Sequence, residues 1–331
     1  MNEVKKYKDV KFLGLYNGEL ALWYPNRLEV GTIIIPIEKG DDFVIWEQSR
    51  FLSRKRNNKR MILDGDKFVD WPQGRYGEVN RIDNFLYSQK DENGICSLSI
   101  LQNSKEYLLK IECDEYGPDL VDIVDDVLML SDNIIDCHTL LFYTKTGQRL
   151  WEYREEDENL KINGRCIPVV DDVVVVISQD CGVPGKVQGF NIHSGEKLWE
   201  IPDAEDVCPN TFFVGEDKML YGCYTEQIDY DEESRLMLTI INPINGEIKN
   251  IEAGKACRVM PWLVTMHGRQ LYYTDNRRGN EIGVIDVDKR ELIERVPLNI
   301  KKKVSIGAPV VTDDKVYVFI SDLQELRVFE K

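Results

Sequence analysis

The sequence is poor in the residues from which catalytic and metal sites are most often built. It holds three histidines, His138, His193 and His267, in 331 residues. Its eight cysteines, Cys96, Cys113, Cys137, Cys166, Cys181, Cys208, Cys223 and Cys257, are scattered, and no two form a Cys-x-x-Cys pair. That spacing excludes a common zinc-site signature and a compact disulfide framework. There is no GxxxxGK[ST] phosphate loop, no GxSxG elbow and no HExxH pair. No apolar run approaches the length of a membrane-spanning helix. The opening stretch MNEVKKYKDVKFLGLYNG has no apolar segment of the signal-peptide kind. These features lead us to expect a cytoplasmic protein with reduced thiols. Bases are also in deficit, 42 Lys and Arg against 58 Asp and Glu, for a net charge of -16. Such a field repels nucleic-acid phosphates and anionic lipid, and attracts basic proteins or cationic ligands. Plain solubility is the alternative reading of the same charge.

A core is well provided for, with 43% hydrophobic and 10% aromatic residues. The informative feature is a phrase written twice: LLFYTKTGQRLWE at 140–152 and GFNIHSGEKLWE at 189–200. An apolar anchor five positions before the turn glycine recurs as Phe142 before Gly147, Phe190 before Gly195 and Ile241 before Gly246. Ile100, Ile285 and Phe329 continue the series without the glycine, with successive anchors about 42 to 51 residues apart, the period of a propeller blade. Each phrase reads as strand, polar turn, strand. A second hairpin precedes it, as in IPVVDDVVVVIS at 167–178 and APVVTDDKVYVFIS at 308–321, with aspartates at the turn. Two hairpins per period make a four-stranded antiparallel sheet, and several such sheets bury their faces on one another.

The expected fold is therefore an all-β single β-propeller of four-stranded blades near 28–75, 79–113, 118–152, 166–200, 208–251, 256–297 and 304–331. Seven blades are preferred, with six or eight as alternatives. The N-terminal strand segment 8–24 is expected to pair into the last sheet and close the ring, removing an open edge. Few helices are expected, since no segment sustains a 3.6-residue apolar period.

The unit DDVVVVIS at 171–178, followed by GFNIHSGEKLWE, resembles the repeat of the quinoprotein (PQQ-like) β-propellers, closely over 118–331 and weakly over 28–117. Thr146-Gly147 through Trp151 and Ser194-Gly195 through Trp199 carry the resemblance. It implies that Trp151 and Trp199 are structural and dock one blade on the next, with Gly147, Gly195 and Gly246 at the turns. The quinone dehydrogenases of that family are exported and carry two adjacent cysteines near the cofactor. This chain shows neither feature, so no quinone or other cofactor is expected. Other relatives of the repeat are scaffolds that bind proteins.

Candidate chemistry is sparse. The histidines read as surface residues, His193 and His267 in turns and His138 in a loop or strand. Cys166, Cys208 and Cys257 precede the first strands of their blades, but their offsets argue against a converging metal site. The stretch IDYDEESRL at 228–236 lacks the central glycine and terminal glutamate of a calcium loop. Charge runs are more suggestive. Glu155, Glu156, Asp157 and Glu158 lie between two blades, and Asp229, Asp231, Glu232 and Glu233 lie among Tyr224 and Tyr230. Solvated loops are the ordinary explanation, yet aromatics among acids suit an interface. A basic tip, with Arg50, Arg54, Lys55, Arg56, Lys59 and Arg60, could meet phosphate.

The resulting expectation is a non-enzymatic protein-binding propeller, a monomer on its own, with a basic protein partner and no nucleic acid or membrane. An immunity or antitoxin role, capping a basic toxin domain, is its specific form. A structural or assembly scaffold is one alternative. The other is a lyase or hydrolase acting on a sugar or small metabolite in the axial channel, although the first-strand positions PVV, FFV and WLV are apolar there.

Overall fold

The structure is a computed structural model. It describes residues 1–45, 52–56, 59–70, 75–79, 85–92, 95–102, 105–112, 118–132, 137–162, 167–180, 183–204, 211–226, 234–256, 258–275, 280–300 and 304–331. Among them there is no α-helix, only short 3-10 turns at Pro261–Leu263 and Ser321–Leu323. Among the described residues the strands form eight antiparallel sheets, most of them meanders in chain order. The first spans 11–36, the second 42–70, the third 75–112 and the fourth 119–154. The fifth spans 161–204, the sixth 213–256 and the seventh 264–297. The eighth combines Val310–Val311, Lys315–Ile320 and Glu325–Glu330 with Asn2–Lys8.

This count exceeds the preferred seven, and the reason is local. Asn17 and Gly18 both have positive φ, 49° and 79°, the mirror-image turn that matches strand twist. They fold Lys11–Tyr16 onto Glu19–Tyr24, and that hairpin continues through Arg27–Val30 into Ile33–Pro36. Segment 8–24 thus belongs to a sheet of its own rather than to the last one. The strand that joins the last sheet is Asn2–Lys8, antiparallel to Glu325–Glu330. The first expected blade, 28–75, divides between the first and second sheets.

The chain divides into two compact units. One comprises Met1–Glu38, Asp206–Asn242 and Glu247–Lys331, and the other Lys39–Glu205 with Pro243–Gly246. In the second unit the repeated phrase explains how sheets follow one another. The Trp151 indole stacks on Phe142, with ring centroids 3.8 Å apart and planes within 7°. Its Nε1 donates to the Ile192 carbonyl, 2.7 Å away, in the turn of the next copy. A Cβ on Gly195 would lie 2.6 Å from that indole. Trp199 repeats the arrangement one step on: Nε1 donates to the Pro243 carbonyl at 2.8 Å, and a Cβ on Gly246 would lie 2.6 Å from its ring. Gly147 meets the Lys110 carbonyl and Leu109 instead of an indole. Each half-buried indole contributes about 1–2 kcal/mol, and the stacked pair about 1 kcal/mol more.

In the first unit, the Tyr273 ring crosses Gly283 on the adjacent strand, where a Cβ would come within 2.0 Å of it. The Tyr273 hydroxyl is fully buried and finds no partner among the described residues.

Two stability measurements test this packing. Gly195→Ala combines a φ of 72° with a clash against Trp151 and should lose about 2–4 kcal/mol in urea unfolding. Gly18→Ala, at a φ of 79° but in open space, should lose only about 1 kcal/mol. Equal losses would mean that the indole contact is not limiting. Tyr273→Phe removes a buried donor without an acceptor and should leave stability unchanged or raise it by about 1 kcal/mol; a clear loss would reveal a hidden partner.

Candidate functional site

The acidic run after the fourth sheet is not a uniform surface loop. Strand Arg149–Arg154 points alternate side chains inward, and the alternation continues past its end. Tyr153 and Glu155 are therefore buried, at 8% and 5% exposure, while Arg154 and Glu156 face solvent. This corrects the reading of Glu155 as one of four exposed acids.

Glu155 anchors a small polar network between the fourth and fifth sheets. Lys186 Nζ donates to its Oε1 at 2.7 Å, and the Asp157 amide donates to the same oxygen at 3.2 Å. The Tyr153 hydroxyl lies 2.8 Å from Glu155 Oε2 and 2.7 Å from Gln188 Oε1. Having one proton, it donates to one of them at a time, and the charged carboxylate is the stronger acceptor. Gln188 Nε2 donates in turn to Glu200 Oε2 at 2.8 Å. Burial alone would raise the Glu155 carboxyl, but the donors, Lys186 foremost, outweigh it and hold it below the usual carboxylate range. Burial pushes the Tyr153 phenol well above its usual range.

From that anchor the loop closes as a bonded turn. The Glu155 amide donates to the His138 carbonyl at 2.8 Å, and the Leu160 amide to the Asp157 carbonyl at 3.0 Å. Asp157 Oδ1 accepts from both the amide and the side chain of Asn159, each at 2.9 Å. Glu156, Asp157 and Glu158 are exposed, and no cation among the described residues pairs with Glu156 or Glu158. The arrangement presents carboxylates on a held backbone, as charge-guided recognition requires.

The other expected contributors fare differently. Tyr224 lies in Leu220–Thr225, a strand buried throughout, and is only 6% exposed. It is not an interface anchor, because neighbouring structure covers both faces of that second strand. Asp229, Tyr230, Asp231, Glu232 and Glu233 lie outside the described residues, as do Cys166, Cys208 and Cys257. In the basic tip, Arg56 clamps the buried Asp41 carboxylate, with Nε and Nη2 at 2.5 and 2.6 Å. Arg54 lies over the Phe68 ring, 4.4 Å from its centroid. Arg50 lies outside the described residues, as do the side chains of Lys59 and Arg60. His193 contacts Asp172 at 3.3 Å and His267 contacts Asp313 at 3.0 Å, all at exposed turns. Among the described residues no group of three or more His, Cys, Asp or Glu could hold a metal ion. No helix among them is long and apolar enough to cross a membrane.

Sequence reasoning missed the partners of Glu155. Lys186, Gln188 and Glu200 stand on strands 30 or more positions away, and only the docking of two sheets brings them in. The available signal was the Tyr153-x-Glu155 alternation at the strand end.

Comparison with known proteins places the repeat. A PQQ-repeat family model, described as outer membrane protein assembly factor BamB, matches residues 83–207. The chain thus carries the PQQ-like propeller repeat. A comparison with curated proteins found no match. Among solved structures, the chain is similar to virginiamycin B lyase from Staphylococcus aureus, solved in a catalytically inactive form with quinupristin. The identity is 12% and the TM-score 0.54, covering 99% of this chain and 98% of that one. It is also similar to dihydro-heme d1 dehydrogenase NirN in complex with DHE, at 14% identity and TM-score 0.57, covering 97% and 71%. A eukaryotic initiation factor matches at 10% identity and TM-score 0.51, covering 90% and 78%. These likenesses show the fold, an all-β propeller.

The anchor can be tested by pH. The stabilisation that Glu155 supplies should be complete above about pH 4.3, the ordinary glutamate value, and fade as pH falls through its depressed folded value. Glu155→Gln should cost about 2 kcal/mol near neutrality and flatten that acid limb in urea unfolding at a series of pH values. An unchanged acid limb would show that the Lys186 contact is not formed.

Proposed function

We propose that this chain is a non-enzymatic protein-binding β-propeller whose partner is a basic protein. The observation that carries the reading is the loop after Arg149–Arg154: Glu155 is turned inward as an anchor, and Glu156 and Glu158 are left exposed without a cation among the described residues. A held loop loses little entropy on binding, so its charge acts on encounter rate and orientation instead of being spent on ordering. The net charge of -16 adds a long-range attraction for a cationic partner. In sequence, further acids at 229–233 fall between Leu220–Thr225 and Ser234–Ile241, outside the described residues. An immunity role against a basic toxin domain is the narrower form of this reading and rests on the same charge. A scaffold role in a larger assembly would use the same loops. The lyase and dehydrogenase among the similar folds motivate an enzymatic alternative, but at 12% and 14% identity they carry the fold alone.

The deciding experiment is native mass spectrometry on tagged protein drawn gently from its own host, at low and then high salt. A basic protein released stoichiometrically by salt is the expected result. A retained small molecule with no protein attached would refute the reading and direct attention to the channel. With the partner in hand, Glu156→Lys combined with Glu158→Lys should weaken binding by about tenfold or more in calorimetry without altering the melting temperature.

A further inference from the structure

The eighth sheet takes its outer strand from the far end of the chain. Asn2–Lys8 runs antiparallel to Glu325–Glu330, with Asn2 opposite Glu330, Lys5 opposite Val328, Tyr7 opposite Leu326 and Lys8 opposite Glu325. The two strands are unequal partners. Glu325–Glu330 is buried at every position except Glu330. Asn2–Lys8 is exposed at every position except Tyr7, which is partly buried. Its one aliphatic residue is misplaced as well. A bulge between Glu3 and Lys5 drops Val4 out of register and leaves it 50% exposed. Lys5 therefore takes the position opposite buried Val328, and its ammonium bends back over the Tyr7 ring, 4.5 Å from the centroid.

Beyond the backbone ladder, charge holds this strand. Lys6 meets Glu325 at 3.2 Å and Glu3 meets Arg327 at 3.4 Å, while the Met1 ammonium meets Glu294 and Met1 packs at the margin of the core. In each of these pairs one partner is a third or more exposed, so the pairs are weak and sensitive to salt. Val10, by contrast, is 1% exposed, and its amide donates to the Gln324 carbonyl at 3.1 Å. Between the two stands Asp9 at a φ of 56°, a left-handed conformation that strains a residue with a Cβ. The joint is thus strained at the weak strand and pinned at Val10. A segment with few buried apolar contacts opens first in local unfolding, and here the opening stops at Val10.

The edge beneath has a definite character. It offers the ladder groups of Glu325–Glu330 and, on one face, the apolar side chains of Leu326 and Val328. On the other face stands the Glu325 carboxylate, 7% exposed, which takes Arg327 Nε at 2.7 Å and Lys6 of the outer strand. We infer that Asn2–Lys8 is a detachable clasp, and that the edge it covers is a docking site for an extended strand of a basic partner protein. The strand that fits carries apolar residues at the positions of Lys5 and Tyr7 and a lysine or arginine at that of Lys6. The resident strand meets the charge requirement but wastes the apolar position at Lys5, so a segment that meets both displaces it. Such strand addition draws affinity from main-chain bonds and specificity from alternate side chains. The inference shares the partner class of the proposed function but uses none of the observations on the acidic loop after the fourth sheet.

Fluorescence polarisation on the full chain tests it, with a short labelled peptide of alternating Lys and Val as the probe and one of alternating Glu and Val as the control. The probe should bind in the micromolar range, and the control at least about tenfold more weakly. Asn2→Cys with Glu330→Cys places two exposed cysteines directly opposite each other, so oxidation locks the clasp. The oxidised form should lose affinity about tenfold or more, and reduction should restore it; attraction to net charge alone would not distinguish the two forms. Lys5→Val should tighten the clasp and weaken the probe about tenfold, whereas Lys6→Glu, which sets an acid against Glu325, should strengthen it. Glu156→Lys with Glu158→Lys should leave the effect of the lock unchanged. In hydrogen exchange, the amides of Asn2–Lys8 should exchange about tenfold or more faster than those of Lys315–Ile320. Absence of binding by the reduced form, equal binding by the oxidised and reduced forms, equal binding of the control, or a dimer formed only when the lock is reduced, with a second copy's strand as the occupant, would overturn the inference.

Discussion

The structure of the second unit depends on one contact, an indole seated on the glycine of the next turn. Trp151 stands four residues after Gly147 and reaches Gly195; Trp199 stands four residues after Gly195 and reaches Gly246. The same phrase supplies both halves of the joint, the ring on its second strand and the bare backbone at its turn. That is why the phrase recurs at blade spacing. The glycine is required twice over, by a positive φ and by the absence of room for a Cβ. Where the tryptophan is missing, other chemistry joins neighbouring sheets. Between the sixth and seventh sheets, Arg269 bonds Asp288 at 2.6 Å, Asp217 at 3.0 Å and the Tyr221 hydroxyl at 3.2 Å. Where the chain ends meet, Arg327 bonds Glu325 at 2.7 Å and reaches Glu3 of the N-terminal strand at 3.4 Å.

Buried charge plays one consistent part in this fold: it holds connections. Glu155 secures the loop that follows it, Asp41 takes Arg56, Asp275 takes the Arg258 amide, and Glu281 takes Arg295. Each is paired, as the desolvation penalty demands. At Glu155 the anchor leaves Glu156 and Glu158 displayed.

Much of this architecture can be read directly from the residues. The period of the anchors, the paired aspartates at hairpin turns and the Gly-x-x-x-Trp phrase identify four-stranded blades because β-structure has a two-residue alternation and tight turns have strict φ demands. The early strands are less legible, because 8–36 has no repeated phrase and only the Asn17-Gly18 turn marks its first hairpin. The site was only half legible. A run of four acids looks uniform in sequence, yet strand alternation puts Glu155 inside and Glu156 outside. Tyr224 reads in sequence as an interface aromatic, whereas the second strand of its sheet is covered on both faces.

By itself, then, the sequence determined the repeat unit, the antiparallel sheets and the identity of the docking residues, since all three follow from local periodicity and turn chemistry. Only the tertiary structure decided which charges are anchors and which are displayed. That choice turns on pairings such as Glu155 with Lys186 and Asn280 with Ile300, made between strands far apart in the chain. Burial of one carboxylate depends on a partner that no local pattern announces.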